Sequence, residues 1–190
     1  LSWWIVAWNA ASGGLYKNDI AGIGRDDGMT LNQAITQNIF NTWDITVATT
    51  WVLSNQRTLI WANDSGNITT WTWADVMTGY TRVAREWQFQ ERNGDVWTVV
   101  IAIQTGWLPS ATTGVLYMFI DSDWVFAAGS ALITGTATAT GRQFAYNISD
   151  NSYVTFAQDA SYTLTYDVTP STWGTISGTA VQAVNYGNTG

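Results

Sequence analysis

Short runs of β-branched and aromatic residues recur along the chain, each closed by a cluster of Gly, Asn, Asp or Ser, while helical periodicity is weak throughout. This pattern predicts an all-β protein. The runs place strands at Asp19–Ile23, Ala34–Phe40, Ile45–Thr49, Thr58–Trp61, Thr81–Gln90, Thr98–Ile103, Val115–Ile120, Gln143–Ile148, Tyr153–Phe156 and Tyr162–Val168, with an irregular last strand around Thr175–Tyr186. Ten or more strands with only two prolines imply two packed antiparallel sheets, a jelly-roll-like sandwich.

Register reads out at three places. Thr81–Gln90 and Thr98–Ile103 read as a hairpin turned by Glu91-Arg92-Asn93-Gly94-Asp95, with Asn-Gly the strongest signal. Val83, Arg85, Trp87 and Phe89 then share one face, and the apolar character of both faces of Val99–Ile103 predicts a central strand. Thr134–Thr140, a run of Thr, Ala and Gly, reads as a connection or a flat edge. Ser161–Val168 alternates strictly and puts Tyr162, Leu164, Tyr166 and Val168 on one apolar face, which needs a sheet to lie on, its own or a neighbour's. The expected organisation is an N-terminal arm over 1–14, a β-sandwich over 15–157 and a C-terminal extension over 158–190.

At 190 residues the chain has room for one sizeable core. A formal charge of −7 and the lack of any polybasic stretch argue against nucleic acid and anionic lipid as partners. Charged residues are only 11 %, and Thr, Ser, Asn and Gly fill the polar positions, a composition common among microbial surface proteins. With no cysteine there is no disulfide framework or thiol nucleophile. The longest apolar runs are too short for a transmembrane helix. Because residue 1 is leucine, the expectation is a processed or partial product whose export signal is gone, and hence an extracellular or cell-surface location.

The thirteen tryptophans sit oddly. Trp61 and Trp87 occupy strand-like runs and read as ordinary core residues. Trp3, Trp4, Trp8, Trp43, Trp51, Trp71, Trp73, Trp97, Trp107, Trp124 and Trp173 fall mostly in turn-like contexts that ask for glycine. One reading is a tryptophan-rich chain with aromatic platforms for sugars. The other is a gene in which UGA encodes glycine, read here as tryptophan.

Two segments carry a family resemblance. Asn18-Asp19-Ile20-Ala21-Gly22-Ile23-Gly24-Arg25-Asp26-Asp27-Gly28, followed by Leu31-Asn32-Gln33, resembles the most distinctive motif of a family of bacterial surface proteins that commonly carry it after a concanavalin/laminin-G-like jelly roll. Gly79–Glu91 is similar to that family's arginine-and-tryptophan strand, and 59–64 and 153–157 are similar to its other recurrent stretches. Where the family pattern has glycine after Gly-Asp-Val and after the aspartate of the Ser-Asp stretch, this chain has Trp97 and Trp124. The resemblance spans roughly 15–157; the N-terminal jelly-roll portion is missing and about thirty residues follow the usual end. It implies export and surface exposure more than any defined chemistry.

Catalytic candidates are sparse. With no histidine there is no Ser-His-Asp or histidine-metal arrangement. A carboxylate pair would have to come from Glu86 and Glu91 or Asp26 and Asp27; Glu86, between two arginines, reads as solvated or ion-paired, and Asp26-Asp27 as turn formers. Calcium is the one plausible cofactor, with Asp121 and Asp123 of Asp121-Ser122-Asp123 as ligand candidates and Asn63–Asn67 and Arg25–Gly28 as rivals; a turn without an ion is the competing reading. Asn63, Asn67 and Asn147 fit the N-glycosylation pattern. The sequence therefore points to a non-enzymatic extracellular subunit that forms a homopolymer, a filament, pilus-like fibre or surface layer, with Tyr162, Leu164, Tyr166 and Val168 as assembly residues. The alternative is a carbohydrate-binding or adhesive domain with surface glycans as partners.

Overall fold

The computed structural model describes residues 14–37, 44–109, 114–165 and 181–185. In chain order the strands are β1 (Asn18–Asp26), β2 (Leu31–Gln33), β3 (Ile35–Gln37), β4 (Thr46–Thr49), β5 (Thr58–Asn63), β6 (Trp71–Thr72), β7 (Tyr80–Val83) and β8 (Trp87–Arg92). They continue with β9 (Thr98–Gln104), β10 (Leu116–Asp121), β11 (Ala131–Thr134), β12 (Thr136–Ala137), β13 (Gly141–Asn147), β14 (Ser152–Asp159), β15 (Ser161–Thr165) and β16 (Val181–Asn185). Among the described residues, nine strands form one sheet, whose main path is β11-β10-β14-β8-β5-β1-β2, with β7 also on β14 and β6 on β7. Five form a second sheet in the order β12-β13-β9-β4-β3. All named ladders are antiparallel, so the fold is the expected β-sandwich.

The period-two pattern decides what lies between the sheets. Leu59, Trp61, Trp87, Phe89, Val154 and Phe156 of the larger sheet meet Val47, Val99, Ile101, Ile103 and Phe144 of the smaller, all buried in one cluster. Burying each such side chain contributes roughly 1.5–3 kcal/mol. Trp87 packs edge-on against Phe156, and its indole N–H donates to buried Asp44 at 2.7 Å.

Both flanks of the sandwich are closed by a strand that changes sheets. On one flank β2 ends the larger sheet and, one residue later, β3 ends the smaller. On the other, β11 and β12 do the same across Gly135, whose N–H donates to Leu116 O at 2.9 Å. A Cβ on Gly135 would lie 2.7 Å from the Phe144 ring, so the crossover needs glycine. The Thr134–Thr140 run is thus an edge, mostly exposed.

Two expectations are corrected. Thr81–Gln90 is not one strand: it breaks at 84–86 into β7 and β8, both lying along β14. Gly66 lies against the break, where a Cβ would clash with Ala84 O, and the Thr155 hydroxyl bridges it by donating to Val83 O and Arg85 O. Nor do β8 and β9 form a hairpin. β8 already has β5 and β14 as neighbours and β9 has β4 and β13, so Asn93–Trp97 carries the chain from one sheet to the other. Asn-Gly supplies positive φ there without joining paired strands. β9 is central, as its pattern implies.

β15 pairs with β16 from Ser161↔Asn185 to Thr165↔Val181. Among the described residues this two-stranded ribbon pairs with neither sandwich sheet. Among the described residues no helix is long and apolar enough to cross a membrane.

Candidate functional site

The distinctive Asn18–Gly28 motif is a structural clasp. Asn18 and Asp19 bind Asn63 of β5: the Asn18 amide donates to Asn63 O, and the Asn63 amide donates to Asp19 Oδ2 at 2.8 Å. Gly22 lets the β1 backbone lie against Ile60, where a Cβ would come within 2.9 Å of its side chain. Arg25 pairs with Asp27 and donates to Leu53 O, and Asp26 Oδ1 accepts from Gly28 and Met29 N–H. The turn-forming reading describes Asp26; the Asp27 carboxylate is instead ion-paired with Arg25.

Asp121 and Asp123 also serve turns. Asp121 Oδ1 accepts from the N–H groups of Ser122 and Asp123, its Oδ2 accepts from the Ser130 hydroxyl at 2.8 Å, and Asp123 Oδ1 accepts from Val125 N–H. Among the described residues no three carboxylates converge on a metal-sized site. Of the glycosylation candidates, Asn63 is fully buried with its amide on Asp19, so a glycan there is incompatible with the packing. Asn67 and Asn147 are exposed; Asn67 Oδ1 caps Thr69, and the Asn147 amide donates to Asp95. Tyr162 and Leu164 lie on β15, whose ladder with β16 is made within the chain; Tyr166 and Val168 fall outside the described residues, as do Trp3, Trp4, Trp8, Trp43 and Trp173.

Glu86 is ion-paired, but it is buried rather than solvated, because the break between β7 and β8 turns it into the outer face of the larger sheet beneath Tyr16. Its Oε1 lies 2.7 Å from Arg82 Nη2, and its Oε2 accepts from the Tyr16 hydroxyl at 2.5 Å. Burial raises the Glu86 carboxyl above its ordinary range despite both partners. Burial, reinforced by the Glu86 bond, likewise pushes the Tyr16 phenol far upward. Arg82, stacked over Phe126, donates to the carbonyls of Ala74, Asp75 and Val83 as well. Glu91, the proposed partner of Glu86, is instead engaged by Val96 N–H on another turn.

Above this network opens a cavity of about 400 Å³, walled by Tyr16, Tyr153 and Trp124, with Asp64 and Glu86 at its base. Tyr153 lies 5.2 Å from Tyr16 and 6.4 Å from Trp124, centroid to centroid. The cavity escaped the sequence reading because its walls come from three distant segments, around 16, 124 and 153. The one available signal was the out-of-pattern Glu86 within a strand.

A second surface lies on the flank closed by β2 and β3. Ile20, Met29, Leu31, Ile35 and Val52 are all exposed there, beside Trp51. The strip Leu31–Gln37 carries no charge and no proline, the devices that ordinarily protect an edge.

No curated protein and no solved structure matches the chain. A family model described as a domain of unknown function (DUF8202) matches residues 4–160, which ends one residue before β15. The chain belongs to that family.

Proposed function

We propose that the chain is a non-enzymatic structural subunit, exported to the cell surface, that assembles with copies of itself into a filament or layer. The observation that carries this reading is the β15–β16 ribbon, which begins where the family match ends and is hydrogen-bonded outside both sandwich sheets. A two-stranded ribbon by itself is marginal in water and gains stability from a surface that covers it. The uncharged strip Leu31–Gln37, with Leu31 and Ile35 exposed, offers such a surface on a second copy. Ribbon and flank are different patches, and a contact between unlike patches that does not close into a ring propagates as an open polymer.

The intrachain ladder alters the form of the joint. β15 keeps its own partner, and the contact is a packing of ribbon on flank rather than an exchange of single strands. The test is removal of everything after Ala160, followed by sedimentation and electron microscopy. The full chain should polymerise and the shortened one should be a folded monomer. Fibres from the shortened chain would refute the role of the ribbon. The alternative of a carbohydrate-binding or adhesive module is favoured by the aromatic walls of the cleft alone.

A further inference from the structure

The aromatic cleft takes its chemistry from how its carboxylates are used. A site for a neutral sugar offers oxygens that are open to hydroxyl donors. Here both Glu86 oxygens are held, by Arg82 and by the Tyr16 hydroxyl, and Asp64 Oδ1 accepts from Gly66 N–H at 2.8 Å and Glu86 N–H at 3.1 Å. These groups bring carboxylate charge to the cleft with three of their four oxygens already engaged. Asp123 adds to the field at Tyr153, and Asp75 lies 3.9 Å from Arg82. Arg82, the guanidinium facing Glu86, is committed to that carboxylate and to three carbonyls.

The three rings that line the cleft are steeply inclined to one another. The planes of Tyr16 and Tyr153 are 60° apart, and those of Trp124 and Tyr153 are 86° apart. Steeply inclined rings suit a roughly spherical group better than a flat pyranose. We propose that the cleft binds a quaternary ammonium group, such as the head of a choline-type ligand, through cation–π contacts in an acidic field. Such a group has no N–H, so it needs no free acceptor, and its methyls carry the positive charge onto ring faces. Tyr16, donating its phenolic hydrogen to a carboxylate, presents an electron-enriched ring. Trp124, 61 % exposed, is the outer wall, and the Tyr16–Tyr153 pair stands without it.

The experiment is calorimetric titration of the full chain with choline chloride, matched in ionic strength by sodium chloride, beside 3,3-dimethylbutan-1-ol, which has the same shape without the charge. Choline should bind saturably, and the neutral analogue about tenfold more weakly or less, the discrimination that about 1–2 kcal/mol of cation–π attraction supplies. Tyr153→Leu, which keeps apolar bulk and removes the ring, should weaken choline about tenfold on the same basis. Should that variant fail to fold, Trp124→Gly on the exposed loop serves instead, with a loss of about threefold from a half-open wall. Equal binding of the neutral analogue, no saturable choline binding, or affinity indifferent to the ring substitutions would overturn the proposal. So would binding of glucose, galactose or N-acetylglucosamine in place of choline, which would assign the cleft to glycans. None of these outcomes bears on whether the ribbon drives assembly.

Discussion

Asp44 should make this protein less stable at neutral pH than in mild acid. It is fully buried beneath the core and accepts from Trp87 Nε1 at 2.7 Å and from Ile45 N–H at 2.8 Å. Burial raises its carboxyl from 3.8 to about 6, although both hydrogen bonds and nearby Arg85 pull the other way. The folded state therefore holds the proton more tightly than the unfolded chain. Between the two values, stability falls as pH rises; above about 6 the group is ionised in both states and the full penalty stands. A shift of about two units corresponds to roughly 3 kcal/mol. Asp44→Asn keeps an oxygen acceptor for Trp87 and removes the charge. It should match the parent near pH 4 and exceed it by up to about 3 kcal/mol at pH 7.5. Urea unfolding of both proteins at the two pH values measures this. Burial also raises Glu86 and Glu91, which add slopes of the same sign, so the difference between variant and parent is the quantity to read. If that difference is the same at both pH values, the buried charge is not the cause.

Because both Asp121 oxygens and Asp123 Oδ1 accept from local donors, chelators should leave the melting temperature unchanged, while Asp121→Ala should cost about 1–2 kcal/mol; a chelator-sensitive transition would restore the calcium reading. Gly135→Ala should destabilise by about 1–3 kcal/mol, measured by urea unfolding, since the added methyl meets the Phe144 ring and Leu116 O; a neutral result would mean the crossover can shift. Protein made in its native host should have an intact mass well below that of the printed sequence if the turn tryptophans are glycines.

The sandwich was legible because burial on one face of a sheet imposes a period of two, which survives in Trp87–Gln90, while Leu59–Ala62 and Val99–Ile103 read as the continuous apolar runs of central strands. Sheet membership was not. The Asn-Gly signal reports a positive φ at residue 93, and it says nothing about whether the strands on either side pair. The break at 84–86 packs against Gly66, nearly twenty residues upstream, and left only the out-of-pattern Glu86 as a trace. For the same reason the cleft was invisible: Tyr16, Trp124 and Tyr153 have no spacing in common. The turn role of Asp26 was readable, being set by backbone donors two and three residues on, whereas the Asp27 carboxylate pairs with Arg25 instead.

The described tryptophans divide by environment. Trp61 and Trp87 are fully buried, and Trp87 also binds Asp44, so both act as tryptophans. Trp51, Trp73, Trp97 and Trp124 are each more than half exposed. Trp97 adds a conformational argument. Its φ is +63° and its N–H is held by Asp95 Oδ1 at 2.5 Å, a left-handed turn in which a bulky side chain costs roughly 1–2 kcal/mol and glycine nothing. We propose that Trp51, Trp73 and Trp97, with Trp97 foremost, are glycine positions of a gene in which UGA encodes glycine, while Trp124, whose ring meets Tyr153 at the cleft, stays tryptophan. Trp71 is the sharpest check, because it packs half-buried against the core and would leave a gap there as glycine. If peptide sequencing finds glycine at 97 and tryptophan at 61 and 87, the local backbone has told the two kinds apart. Tryptophan at 97 would mean that the fold tolerates the strain, and the aromatic surface would then belong to function.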